Sequence, residues 1–450
     1  MRRTFSLLVV LIAAAVALLS AASANAFEAR GSVEQVYVTG AAAGQKLKLV
    51  DKKGKKVEKR AATDLGGVVF RQVKPGGGYR VKGGGVTSPP VTVMKIQGAP
   101  PSTDIYNQNI PSSGYGYLTT RDGTKLAYTV HPATDISSIL PIDLPSLPQT
   151  GQSPTLIEYS GYGTADPAGP ESGISVIANL LGFTVVDVNI RGTGCSGGSY
   201  DFFEPLQGLD GYDVIETVAR QPWVLHGRPG MVGLSYPGIT QLYVAATRPP
   251  SLASIAPLSV IDDLWRQQWP GGIYNTGFTR AWVAARDMQS KGGGMAWDQA
   301  IIDAGDEVAA ENQKIRSQNF DFERFGRAIE DFRPMLDARR IGLHVNRIDV
   351  PVYLTGAWQD EQTGSRFASM IDSFDDAPQS RAIVFNGHHP DGLSPMVALR
   401  WYEFLSFYVA RRIPKMPEML RAMAPLLFQE YFGYEAVLEA DRFEHHGDDF

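Results

Sequence analysis

The residues most suited to chemistry lie at Gly233-Leu234-Ser235-Tyr236-Pro237-Gly238, directly after the short apolar run from Gly230. A serine hydroxyl becomes a usable nucleophile when a sharp strand-to-helix turn lifts it above a sheet. The residues around it stay small because bulky ones collide with the turn. Glycines stand two places before and three places after Ser235, and Pro237 occupies the usual site of the second glycine. The chemistry implied is attack on an ester or amide carbonyl, with an acyl-enzyme that water then hydrolyses. Such a reaction needs a base for the hydroxyl, an acid to orient the base, and donors for the oxyanion.

The chain offers these groups in the order serine, acid, histidine, each just after an apolar run. Val352-Tyr353-Leu354-Thr355-Gly356-Ala357-Trp358-Gln359-Asp360 reads as a strand running into a loop that ends in a carboxylate. Asp360 is the candidate acid. Glu361 is its neighbour and competitor, and the shorter reach of aspartate suits a loop that already approaches the base. Ile383-Val384-Phe385-Asn386-Gly387-His388-His389-Pro390-Asp391 is a further strand ending in two histidines. Of the seven histidines, His131 precedes the core strands and His226 falls before the elbow strand. His344 lies in a helical region, and His445 and His446 lie in the tail. The base is therefore one of the pair 388–389, and spacing does not choose between them. The pair is not read as a metal site, because adjacent histidines point in different directions and no nearby cluster of Asp, Glu or Cys completes a ligand set. No cofactor is expected. The elbow supplies the backbone N–H of Tyr236 to the oxyanion. A second donor is expected from the loop Tyr159-Ser160-Gly161-Tyr162-Gly163, whose tyrosines carry phenols that can donate.

These groups must be delivered by a common sheet. Thr155–Tyr159, Thr184–Val188, Gly230–Leu234, Ser254–Leu258, Val352–Thr355 and Ala382–Phe385 are short apolar runs of the kind found in parallel strands buried on both faces. Helical stretches fit at about 172–181, 209–220, 238–247 and 362–374. Ahead of them, Tyr115–Thr119 and Leu126–Val130 form a hairpin around Asp122-Gly123. The alternation predicts an α/β fold with a doubly wound, mostly parallel sheet and a site at the strand C-termini. Residues 262–347 show no core strand and read as a helical cap insertion, with Trp282, Met288, Met295 and Trp297 as candidates to line a pocket.

Residues 27–97 look all-β, with short strand-like runs between Gly and Lys turns, and suggest a small sandwich module. Gly76–Gly78 and Gly83–Gly85 read as turns within it. Residues 98–112 read as a linker, 113–415 as the catalytic domain and 416–450 as a C-terminal tail. Residues 1–26 combine Arg2-Arg3, an apolar run from Leu7 to Leu19 and Ala24-Asn25-Ala26. That is the pattern of a signal peptide, so export with cleavage after Ala26 is expected, and no membrane span remains afterwards. Arg2-Arg3-Thr4-Phe5 weakly matches a twin-arginine signal. The 450 residues carry a net charge of −5, which gives no sign of nucleic-acid binding, and Lys52–Lys56 reads as a solvated hairpin turn. Cys195 is the only cysteine, so no internal disulfide forms.

Several motifs, taken together and in order, resemble the X-prolyl dipeptidyl-peptidase / cocaine-esterase group of serine hydrolases. They are Glu158-Tyr159-Ser160-Gly161-Tyr162-Gly163, Arg191-Gly192-Thr193-Gly194-Cys195-Ser196-Gly197-Gly198, Asp210-Gly211-Tyr212-Asp213, Gln221-Pro222-Trp223, Gly233–Gly238 and Gly356–Asp360. The likeness runs from about 113 to about 410. It implies an α/β-hydrolase fold with a helical cap, with Ser235 as nucleophile, Asp360 as acid and His389 as base. It also implies that the Tyr162 hydroxyl shares the oxyanion hole with the backbone at Tyr236, with Tyr159 as the alternative. The family's elbow is commonly Gly-x-Ser-Tyr-x-Gly, which accounts for Pro237. Members usually continue into a C-terminal jelly roll, so here that domain is either missing or replaced by a helical tail. The expected substrate is a small ester, an amide or a short peptide. The alternatives are an X-Pro dipeptidyl-peptidase, with Asp262, Asp263 and Asp287 as candidates to hold a free amine, and an inactive surface-binding protein. Arg191 is expected in a structural ion pair rather than at a ligand site.

Overall fold

The computed structural model describes residues 27–134, 151–169, 173–318, 322–328, 334–416, 418–439 and 442–447. The expected signal segment lies outside them. The chain divides into two compact units, one of residues up to Lys95 together with Gln313–Gln318, the other of the remainder.

The first unit holds β1 (Glu28–Gly31), β2 (Val36–Thr39), β3 (Lys46–Val50), β4 (Lys56–Ala61), β5 (Val68–Phe70), β6 (Gly76–Gly83), β7 (Val86–Thr87) and β8 (Val91–Val93). They form a sheet ordered β1-β2-β5 and another ordered β4-β3-β6-β7, with β8 on β6. Lys46-Leu47-Lys48-Leu49 alternates exposed and buried, so Leu47 and Leu49 join Val36, Val38, Val68, Phe70 and Val81 in the core. The lysine-rich stretch turns at Gly54, whose φ of 80° closes the β3–β4 hairpin. Gly76–Gly78, expected to be a turn, instead opens strand β6. Its pairing with β8 shifts register between Gly76 and Tyr79, where side-chain-free backbone accommodates the irregularity. Ile315, far along the chain, packs with Tyr37 and Val69 in this unit.

The second unit is built on one eight-stranded sheet of β9 (Gly114–Thr119), β10 (Lys125–His131), β11 (Thr155–Ser160), β12 (Thr184–Asn189), β13 (Gly230–Leu234), β14 (Ile255–Leu258), β15 (Val352–Ala357) and β16 (Ser380–Phe385). The order across the sheet is β16-β15-β14-β13-β11-β12-β10-β9. β10 runs antiparallel to both neighbours, and the strands from β12 to β16 are parallel. This is an α/β fold with a mixed sheet. Strands β11, β12, β14 and β15 are buried at every residue, as their mostly apolar sequences require of a sheet covered on both faces.

Helices α1 (Gly173–Leu180), α2 (Pro205–Ala219) and α3 (Tyr236–Ala245) connect the central strands. Between β14 and β15 come α4 (Leu264–Gln268), α5 (Phe278–Gln289), α6 (Trp297–Asp303), α7 (Glu307–Asn312) and α8 (Phe322–Ala328); α9 (Pro395–Leu405) and α10 (Glu418–Phe432) follow the last strand. Residues 365–373, expected within an α-helix, form tighter 3₁₀ turns. Phe367 and Met370, three apart, are the buried pair there, a spacing that the three-residue period brings into line. Residues 98–112 are packed onto the second unit rather than strung between units. The Tyr106 hydroxyl donates to Asp213 at 2.7 Å, and Trp223 Nε1 donates to the Ile110 carbonyl at 2.8 Å.

Candidate active site

The β13–α3 turn places Ser235 at φ 67° and ψ −123°, a conformation that costs an L-residue about 1–3 kcal/mol and recurs at functional sites. The flanking sequence explains how the turn holds. A Cβ on Gly233 would lie 2.5 Å from Pro237 Cβ, so the glycine makes room for the proline. A Cβ on Gly238 would lie 2.7 Å from the Leu258 carbonyl oxygen and 3.0 Å from that of Gly233. The close approach that requires a second glycine therefore falls at 238, while position 237 accepts a proline at the start of the helix, where no N–H is needed. Helix α3 is pressed in turn against α2, where Gly211 faces Val244 with no space for a side chain.

At the same edge of the sheet, the loops after β15 and β16 bring an imidazole and a carboxylate together. His389 Nδ1 lies 2.7 Å from Asp360 Oδ2, and both side chains are buried. The Asp360 carboxylate also accepts from the Gln362 and Thr363 backbone N–H groups and from the Thr363 hydroxyl, at 2.7–2.8 Å. Burial pushes its carboxyl up, but the His389 contact and the Thr363 donors outweigh burial and hold it below the ordinary aspartate value. An ionised Asp360 makes Nδ1 the protonated nitrogen, which leaves the lone pair on Nε2. Nε2 is buried and makes no hydrogen bond among the described residues.

The two histidines and two carboxylates left open by spacing part company here. His388 is exposed, and its N–H donates to Asp391 at 2.7 Å. Glu361 makes no hydrogen bond to the imidazole; its carboxylate accepts the His389 backbone N–H at 3.1 Å. Both acids thus serve His389, one through the ring and the other through the main chain. The loop is tied to the elbow through β14: Ser235 N–H donates to the Leu258 carbonyl at 2.9 Å, and the next residue, Ser259, donates its hydroxyl to the His389 carbonyl at 3.2 Å.

Tyr236 is the first residue of α3, so its N–H has no acceptor within the helix. Its ring is fully buried against Phe202 and Phe203, and Gly161 is what admits it, since a Cβ there would lie 2.6 Å from Cε1. Tyr162 meets Tyr236 edge to face with 5.5 Å between centroids. The Tyr162 hydroxyl accepts from Trp282 Nε1 on α5 at 2.9 Å. Tyr159, the alternative donor, is fully buried with its hydroxyl committed to the Gln207 carbonyl at 3.0 Å, so it is unavailable to a substrate. Sequence reading did not single out Asn189, whose side chain donates to the Tyr162 carbonyl and accepts the Ala165 N–H. It also did not single out Arg286, whose guanidinium lies 4.5 Å from the centre of the Tyr162 ring. The signal for Arg286 was its spacing: it follows Trp282 by four residues on one helix.

Of the other named candidates, Met288 is exposed and Trp297 packs over Gly194. Asp262 accepts from Arg366 and Ser369, and Asp263 caps α4 and binds Arg340. Arg191 is wholly buried, with two nitrogens on Asp210 at 2.5 Å and a third on Asp122 at 3.1 Å.

A sequence profile of the X-Pro dipeptidyl-peptidase (S15) family matches residues 138–391, more than half of the chain. The chain belongs to this family. Within 105 residues it is 32% identical to a cocaine esterase of Rhodococcus sp. (strain MB1 Bresler), a match covering 23% of this chain and 18% of the esterase. A CocE/NonD family hydrolase from Staphylococcus aureus shares the fold with a TM-score of 0.51 at 21% identity, over 66% of this chain and 50% of the other. A second crystal structure of that hydrolase gives a TM-score of 0.50. This S15-family chain thus matches half or less of the length of these relatives.

Proposed function

We propose that this S15-family protein is an exported serine hydrolase that cleaves esters or amides through an acyl-enzyme. Ser235 Oγ attacks the carbonyl carbon while His389 Nε2 takes its proton. Asp360 keeps the imidazole in the required tautomer and stabilises the imidazolium. The Tyr236 N–H and the Tyr162 hydroxyl receive the negative charge that develops on the carbonyl oxygen. The leaving group departs with the proton from His389. Water then attacks the acyl group under the same base and restores Ser235. The helices between β14 and β15 act as the cap over this site.

The observation that carries the reading is the buried His389–Asp360 pair, whose Nε2 makes no hydrogen bond among the described residues and whose loop is tied through Ser259 to the strand that accepts the Ser235 N–H. Nε2 makes no hydrogen bond to Ser235 here; catalytic hydrogen bonds are commonly long in the absence of substrate and tighten only in the complex. Ester cleavage is favoured over release of X-Pro dipeptides because two of the three carboxylates considered for a free amine, Asp262 and Asp263, are already engaged by arginines and a serine. Acyl nitrophenyl esters should accordingly be hydrolysed faster than X-Pro anilides. Ser235→Ala is expected to abolish turnover and labelling by a fluorophosphonate probe while leaving the circular dichroism spectrum intact. Undiminished hydrolysis by that variant removes the assignment.

A further inference from the structure

The guanidinium of Arg286 stands out among the charged groups near the site. It lies over the Tyr162 ring at 4.5 Å and the Trp282 ring at 5.5 Å. Nε and Nη1 are shut off from solvent and make no hydrogen bond, and no carboxylate pairs with the group among the described residues. Asp287 is the next residue on the same helix, and successive side chains point about 100° apart. Three arginines of this unit with buried side chains are paired with carboxylates instead: Arg191 holds Asp210 and Asp122, Arg121 holds Asp213, and Arg339 holds Asp201. Two aromatic faces compensate a desolvated cation only in part, since a cation–π contact is weaker than the cost of taking the charge out of water. A planar donor fork held by rings and lacking an acceptor is the usual arrangement for receiving a carboxylate. The ring it rests on belongs to Tyr162, whose hydroxyl is the proposed oxyanion donor.

We infer that Arg286 reads a carboxylate on the substrate, so that the preferred substrates are esters or amides carrying an anionic group close to the scissile carbonyl. The inference rests on the function proposed for Ser235 and names the substrate class of that same site. In the bound state the guanidinium donates to the carboxylate oxygens through its in-plane N–H groups. The acyl transfer itself is unchanged: the anion is held, and no bond to it is made or broken.

The test compares kcat/KM for one neutral and two anionic nitrophenyl or phenyl esters. These are 4-nitrophenyl hexanoate, mono-4-nitrophenyl adipate with the charge on the acyl side, and 4-carboxyphenyl hexanoate with the charge on the leaving group. Rates are corrected for uncatalysed hydrolysis. Arg286→Met should lower kcat/KM for one anionic ester at least about tenfold more than for its neutral counterpart, as loss of a charge-assisted contact requires. Arg286→Lys should recover part of that difference. An equal loss on all three esters would overturn the inference and make Arg286 a prop for Tyr162. If Arg286→Met does not fold, the wild type decides: its preference for an anionic ester should fall as salt is raised, and a preference that is absent or indifferent to salt overturns the inference. Failure of the underlying reading looks different, because Ser235→Ala would then still hydrolyse the neutral ester.

Discussion

At the scale of single residues, Asp360 carries the sharpest consequence. Four donors converge on its carboxylate, and its pKa is depressed despite burial. A depressed carboxyl contributes stability that is fully present above the unfolded value of about 3.9 and is lost as pH falls through the lower folded value. Between pH 4 and 2 the melting temperature of the native chain should therefore drop more steeply than that of Asp360→Asn, measured by thermal denaturation across that range. At neutral pH the variant should be the less stable of the two. Its turnover should fall by about 10⁴, the effect of the wrong imidazole tautomer in a serine hydrolase. The choice of Asp360 over Glu361 was legible from side-chain length. What Glu361 does instead was not legible, because it depends on where the backbone of a loop 28 residues onward happens to pass.

At the scale of elements, the elbow illustrates how a motif departs from its usual spelling without losing its geometry. The steric demand is set by the Leu258 and Gly233 carbonyls, and Gly238 is the residue that meets it. Gly238→Ala should destabilise the protein by about 1–3 kcal/mol, because the obstacle is backbone and cannot rotate away. Chemical denaturation would read that loss, and activity should fall with it as α3 is displaced from β14. The parallel strands were legible because residues buried on both faces must be apolar at successive positions. The 3₁₀ turns at 365–373 were not, because apolar residues three apart suit either helix type over so short a stretch. Gly76–Gly78 misled for a related reason: glycine marks both turns and strand irregularities, and only the pairing partner tells which.

At the scale of the whole molecule, the glycine-rich turn after β12 is a junction. Arg191 joins the hairpin turn at Asp122 to helix α2 at Asp210, with every participant out of contact with water. Arg191→Met should cost about 3–5 kcal/mol, since it removes the guanidinium that two buried carboxylates share; a guanidinium-chloride unfolding curve measures it. The segment 98–112 shows the limit of composition as a guide. Its Gly, Pro and Ser suggested a free connector, yet Tyr106 and Ile110 are anchored to partners more than a hundred residues away. The sequence alone determined which strands lie in the buried sheet and which serine sits on its turn, because both follow from short-range sterics and from the need to keep apolar runs from water. The resemblance implied His389 and Tyr162 but residue spacing left both choices open; the tertiary structure brings His389 rather than His388 to Asp360, and it engages the Tyr159 hydroxyl as a donor while that of Tyr162 accepts from Trp282. It alone brought an unpaired Arg286 beside that tyrosine. Those outcomes depend on which loops the folded sheet brings face to face, and contacts between distant segments leave no periodicity to read.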